Sequence, residues 1–257
     1  MHMMTYAIVI IGLCVLYAAG GVALIRQFTK RHVREGHNDV LVPLFLMAGT
    51  LYAVLLGFLV IAVWESYGAA KDNAAEEAST LTTLYRETTG MPTSERVEVR
   101  ALLKEYTEAV AGDEWKIQAA TGGASPTARA AVAKLFGVFD PQKNPYANAA
   151  ISADFVRTLD GVADDRNRRT LDANESLSPV LWGGIIFGGA IVIGMAFLLY
   201  MEKGALHVAG VVMMAALIGS LLFMIAILDH PFSGPLAISS DSFEHSLSVY
   251  QSVDGGH

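Results

Sequence analysis

The chain has 257 residues, 53% of them hydrophobic, a content above that of ordinary soluble domains. Its formal charge of −7 at pH 7 argues against nucleic acid and against a polybasic lipid-binding surface. The single cysteine, Cys14, excludes a disulfide framework within one chain.

The apolar residues gather in four runs, Tyr6 to Ile25, Leu41 to Trp64, Val180 to Met201 and Ala205 to Leu228. Each reaches the roughly 20 residues that a helix rising about 1.5 Å per residue needs to cross a bilayer. His207 is the only charge-capable side chain inside them. The predicted class is therefore an all-α integral membrane protein, with spans placed two and two around a polar middle. Met1 to Thr5 carries no Lys or Arg, so the first run reads as a retained helix and not a cleaved signal. Arg26, Lys30, Arg31 and Arg34 follow that run and favour a cytoplasmic loop there, which would put the middle outside. Lys71, Arg166, Arg168 and Arg169 flank the membrane on the opposite side and weaken that bias. Tyr6, Trp64 and Trp182 fall at run ends sharing one face, as interfacial aromatic rings do. The expected division is 1–64 for the first helix pair, 65–179 for a helical extramembrane domain, 180–228 for a second hairpin and 229–257 for a tail.

No proline and only the single Gly68 stands between Trp64 and Gly90, and Ala70, Ala74, Ala78, Leu81 and Tyr85 recur at helical spacing, so the second span is expected to run on into water. Pro92 opens an amphipathic helix with Val99, Leu102, Leu103, Tyr106 and Val110 on one face, expected to pack on that extension. Ala119 to Thr127 reads as a loop, Pro126 as the first turn of a short helix through Phe136, and Asp140 to Pro145 as a turn. From Tyr146 the face Ile151, Phe155, Leu159 and Val162 is helical again, an extension toward the third span, whose own start is marked by Ser178 as N-cap and Pro179. Only Glu202, Lys203 and Gly204 separate the last two runs, which predicts an antiparallel hairpin, with Gly184, Gly188, Ala215 and Gly219 as small-residue packing faces.

Phosphate-cradling, activated-serine and zinc-binding signatures are missing, so neither an enzyme nor a cofactor is expected. Asp229 is the odd residue, because a carboxylate closing the fourth helix meets the negative end of the helix dipole. A backbone amide of the following turn or a basic side chain would compensate it; the sharper reading is a bound cation, with His230, Glu244 or His245 as ligands. The second run carries a stripe of Thr50, Val54, Phe58, Ile61 and Glu65 on one helix face. Spacing permits two readings: the face packs inside the protomer, or it lines a pore with an apolar constriction and a Glu65 mouth that would favour cations.

The chain resembles the bestrophin-like family of bacterial membrane proteins of unknown function and, more distantly, the bestrophin anion channels. The likeness rests on Leu55-Leu56-Gly57-Phe58, on Trp64-Glu65-x-Tyr67 with Ala70-Lys71, and on Arg168-Arg169 before Leu177-Ser178-Pro179-x-Leu181-Trp182. It is completed by Asp229-His230-Pro231-Phe232-Ser233-Gly234 leading to Phe243. The distant relatives imply four spans per protomer, a pentamer around one pore and a neck at Thr50, Val54 and Phe58. They also imply a cytosolic middle domain, against the cation count. The consecutive acidic residues that bind calcium in those channels have no counterpart, since only Asp241 and Glu244 follow the Pro-Phe step. The resemblance thus implies a multi-pass protein of the bacterial inner membrane, a homo-oligomer passing small ions; the alternative is a non-conducting scaffold or sensor working through its extramembrane domain.

Overall fold

A computed structural model describes residues 2–29, 37–140, 149–201 and 203–255. Lys30, Arg31, Arg34, Glu202, Tyr146 and most of the turn expected at Asp140 to Pro145 lie outside them, as does the side chain of Ile151. The described residues form helices and no strand: α1 (His2–Thr29), α2 (His37–Glu87), α3 (Thr93–Ala109), α4 (Trp115–Thr121), α5 (Pro126–Val138), α6 (Ala149–Asp172), α7 (Pro179–Leu198), α8 (Gly204–Leu228) and α9 (Asp241–Gly255). Four of these, α1, α2, α7 and α8, are long and apolar enough to cross a membrane. The chain divides into two compact units, Met1–Glu65 with Ser176–Asp229, and Ser66–Glu175 with His230–His257.

In the first unit α1 lies along α8, and Gly219 permits the approach: a Cβ there would stand 3.1 Å from the Ile11 Cα. Gly184 and Gly188 do not meet the hairpin mate expected from their spacing. A Cβ on Gly184 would meet nothing within 4 Å, while one on Gly188 would meet the Tyr52 ring at 3.1 Å. Hydroxyls in hydrocarbon need acceptors, and α7 supplies them. Tyr17 donates to the Ala190 carbonyl at 3.2 Å and Tyr52 to the Ile185 carbonyl at 2.9 Å.

The third span stops at Leu198, three residues before the end of its apolar run, because side chains capture its last carbonyls. His37 bonds the Leu198 carbonyl at 3.2 Å, and buried His207 bonds that of Ala196 at 3.0 Å. The Asn38 amide clasps Tyr200 from both sides, donating to its carbonyl at 2.8 Å and accepting its N–H at 3.0 Å. At the other end Ser178 caps α7, accepting from the Leu181 amide at 3.3 Å, with Pro179 as the first helical residue.

The second unit is built around an apolar core contributed by α2 (Leu81, Leu84, Tyr85), α3 (Val99, Leu103, Tyr106), α5 (Leu135), α6 (Phe155, Leu159, Val162) and α9 (Phe243, Tyr250). Each large side chain so buried contributes on the order of 2 kcal/mol from its removal from water. The α2 stripe expected here, Ala70 to Tyr85, is buried throughout. The stretch expected as a loop from Ala119 is still helical to Thr121, and the break comes at Gly122, whose φ of 68° ends α4 in the left-handed region. Ser125 then caps α5, accepting from Thr127 and Ala128. The extension expected ahead of the third span is a separate helix, α6, joined to α7 through residues 173–178.

Candidate functional site

On α2 the residues buried in the first unit are Tyr52, Leu56, Leu59 and Val63, spaced four, three and four. That stripe occupies the side of the helix away from Thr50, Val54, Phe58, Ile61 and Glu65, all of which are exposed. Val54 is 52%, Phe58 69% and Ile61 55% exposed. Packing inside the protomer, one of the two readings of this face, therefore fails: the protomer uses the opposite face. Gly57 and Trp64 lie outward as well. Thr50 donates back to the Leu46 carbonyl at 2.8 Å, which keeps its hydroxyl satisfied in an apolar setting.

Asp229 is compensated by neutral donors. Its carboxylate accepts from the Leu177 amide at 2.7 Å and from the Trp182 indole N–H at 3.0 Å. The carboxylate at the negative end of α8 therefore stands beside the positive start of α7, where an anion is favoured. His230, Asp241, Glu244 and His245 are exposed, and among the described residues no three or more His, Cys, Asp or Glu gather as metal ligands.

A second charged constellation lies wholly within the second unit. Arg169 and its partners Glu77 and Glu114 are all fully buried. The guanidinium donates from Nε to Glu77 Oε2 at 2.6 Å, and from Nη2 to Glu77 Oε1 at 3.3 Å and Glu114 Oε1 at 2.7 Å. Tyr106 donates to Glu77 at 2.5 Å; Arg166 at 2.8 Å and the Ser125 amide at 2.7 Å complete Glu114. Glu114 closes a π-helical turn, Val110–Glu114, in which the helix backbone takes one extra residue per turn and turns this side chain inward. Two carboxylates meet two guanidinium groups, so the buried set is neutral as a whole. Burial alone would push the Glu114 carboxyl up, but Arg169 and Arg166 outweigh it and hold it below the usual carboxylate range. Burial and the neighbouring Glu77 push the Tyr106 hydroxyl far above a normal phenol, so it stays a donor. Trp115 and Phe243 flank the Arg169 guanidinium at 5.5 and 5.6 Å from their ring centres.

The family model for the Bestrophin-like domain matches residues 12–243. The chain belongs to the bestrophin-like family. It is a multi-pass membrane protein with the family's all-helical fold. Similar solved structures include a point-mutant crystal form of a bacterial bestrophin homologue from Klebsiella pneumoniae, 12% identical, with a TM-score of 0.74 over 96% of this chain and 98% of that one. A second structure of that homologue is 13% identical, with a TM-score of 0.74 over 97% and 99%. At such identity the likeness establishes the fold alone. No curated protein matches the sequence.

The bestrophin-like motif residues divide by task. Trp182 and Asp229 join the start of α7 to the end of α8 in the first unit, and Pro179 is exposed at the first position of α7. In the second unit Pro231, Phe232 and Gly234 shape a turn that Tyr67 holds by donating to the Leu236 carbonyl at 2.8 Å. Gly234 has a φ of 81°, a conformation that suits glycine. The Trp115 indole donates to Ile238 at 2.8 Å and packs edge-on against Phe232, 5.4 Å between ring centres. Of the paired arginines Arg169 is buried, and Arg168 is exposed with Asp165 at 3.8 Å. Sequence reasoning missed Glu77 and Glu114, and read Tyr106 only as a packing residue. The available signal was a glutamate on the otherwise apolar stripe Ala70, Ala74, Ala78, Leu81.

Proposed function

We propose that this bestrophin-like protein is an oligomeric ion channel of the bacterial inner membrane, with α2 of each protomer contributing to one central pore. The observation that carries this reading is the outward direction of Thr50, Val54, Phe58, Ile61 and Glu65 while α2 buries its other side. A helix that is apolar on its free face must meet lipid or another subunit, and a symmetric ring would bring five such stripes together if the resemblance to bestrophins extends to the pentamer. Val54 and Phe58 would then form an apolar constriction that gates by dewetting, and Glu65 a charged mouth. Residues 65–179 and the 229–257 tail form the extramembrane part, and no catalytic chemistry is assigned.

Subunit counting of detergent-purified protein combined with planar-bilayer recording tests this. A ring that conducts, with single-channel conductance raised at least about twofold by Phe58→Ala through a wider constriction, supports the channel. A monomer without conductance overturns it and leaves the scaffold reading. Reversal potentials in asymmetric salt decide between anions, as the resemblance implies, and the cations that a ring of Glu65 would favour.

A further inference from the structure

We infer that Tyr52 is a positioning residue that fixes the rotation of α2 about its own axis, with the Gly188-Gly189 step of α7 as its socket. The inference deepens the pore reading, since that reading needs one face of α2 held outward.

The socket is built from the absence of side chains. A Cβ on Gly189 would stand 2.7 Å from the Tyr52 hydroxyl oxygen and 3.3 Å from Cζ, and one on Gly188 would stand 3.1 Å from the ring edge. The ring is 7% exposed, and its hydroxyl donates at 2.9 Å to the Ile185 carbonyl. Ile185 lies one helical turn before Gly189, so its carbonyl already serves the α7 ladder, and the tyrosine uses its second lone pair. Whereas α1 and α8 meet through close backbone approach, α2 reaches the α7 backbone through the Tyr52 side chain. Other polar stops on α2 lie toward its ends, at His37 and Asn38 on the Leu198 and Tyr200 carbonyls and at Glu77 on Arg169, so beside the Thr50 to Glu65 face the ring seated in a two-glycine notch, with a directional hydrogen bond at its tip, is the directional one.

Helix geometry connects the stop to the outward face. At about 100° per residue, Thr50, Val54, Phe58, Ile61 and Glu65 lie roughly 160°, 200°, 240°, 180° and 220° around the axis from Tyr52. The stripe is thus centred nearly opposite the socketed ring. Any rotation that lifts Tyr52 out of the notch swings Val54 and Phe58 off the free face by the same angle.

Full-length protein in proteoliposomes, carrying Cys14→Ala and one nitroxide at a time on Val54→Cys, Leu55→Cys, Phe58→Cys or Ile61→Cys, gives the helix phase through oxygen and nickel-chelate accessibility. Gly189→Ala sets a methyl against the hydroxyl and is expected to move the accessibility phase. Tyr52→Phe alone is expected to leave it in place, and Gly189→Ala with Tyr52→Phe to restore it, because the offending oxygen is gone. Conductance should follow the same pattern: changed at least about twofold in Gly189→Ala and returned to the Tyr52→Phe level in the pair. An unmoved phase in Gly189→Ala, or a moved phase that Tyr52→Phe does not restore, overturns the assignment. If no protein conducts, the parent included, the channel reading falls while the accessibility phases still decide the role of Tyr52.

Discussion

Replacing Arg169 with methionine removes three charge-assisted hydrogen bonds from the interior of the second unit. The loss falls unevenly. Glu114 keeps Arg166 and the Ser125 amide, whereas Glu77 is left with the Tyr106 hydroxyl alone. Stranding a buried carboxylate in this way costs about 3–5 kcal/mol. For a unit of this size that lowers the melting midpoint by roughly 10 °C or more. Arg169→Met with Glu77→Met removes both ends of the pair, and an apolar replacement of similar volume recovers most of the loss. Thermal unfolding of the full-length protein in detergent, followed by near-ultraviolet circular dichroism, reports the tertiary environment of Trp115 and Tyr106. A stability for Arg169→Met within about 1 kcal/mol of the parent, or a double variant no more stable than the single, would refute the reasoning. The pH dependence has a definite sign. Because the folded-state Glu114 carboxyl is held below its ordinary value of 4.5, its contribution is fully present above that value. It is lost as pH falls through the depressed one, so the gap between parent and Arg169→Met narrows in acid.

Two further outcomes follow from single carboxylates. Burial, with Glu76 nearby, pushes the Asp165 carboxyl above its ordinary value of 3.8, so its charge costs stability at neutral pH; Asp165→Asn should raise the unfolding midpoint at pH 7, with the gain fading as pH falls through the raised value. An equal gain over the parent at pH 7 and pH 4 would count against it. Asp229→Asn sets an amide NH2 against one of two donors, the Leu177 N–H or the Trp182 indole, and should cost about 1–3 kcal/mol in a detergent melt, while His230→Ala on the exposed neighbouring residue leaves the midpoint unchanged. Equal effects of the two substitutions would contradict the hydrogen-bond assignment.

Much of the architecture was legible because it depends on local signals. Apolar runs of bilayer length predicted α1, α2, α7 and α8, and Pro126, Ser178 and Pro179 marked helix starts through the chemistry of their own side chains. What stayed hidden depended on partners far away in sequence. Spacing revealed the Thr50 to Glu65 face but could not say whether it turned inward, since in an apolar span both faces are equally hydrophobic and the direction is set by Tyr52 meeting α7. Asp229 was recognisable as needing compensation, yet its donors came from residues 177 and 182 and not from the turn that follows it. Glu114 faces inward because of a π-helical turn, and no residue in Val110–Glu114 announces that geometry. The early end of α7 was equally illegible, because His37 and Asn38 impose it from another helix.

The grip on α7 sets how that helix can vary among related chains. Apart from the Trp182 indole it has no hydrogen-bonding side chain, and Tyr17, Tyr52, His37 and His207 hold it by main-chain oxygens that every amino acid possesses. Selection along this segment should therefore act on volume more than on chemistry: aliphatic exchanges pass freely on its outer side, while Gly188 and Gly189 admit almost nothing larger. In an alignment α7 beyond its Pro179 to Trp182 start would look poorly conserved by identity and sharply restricted by size.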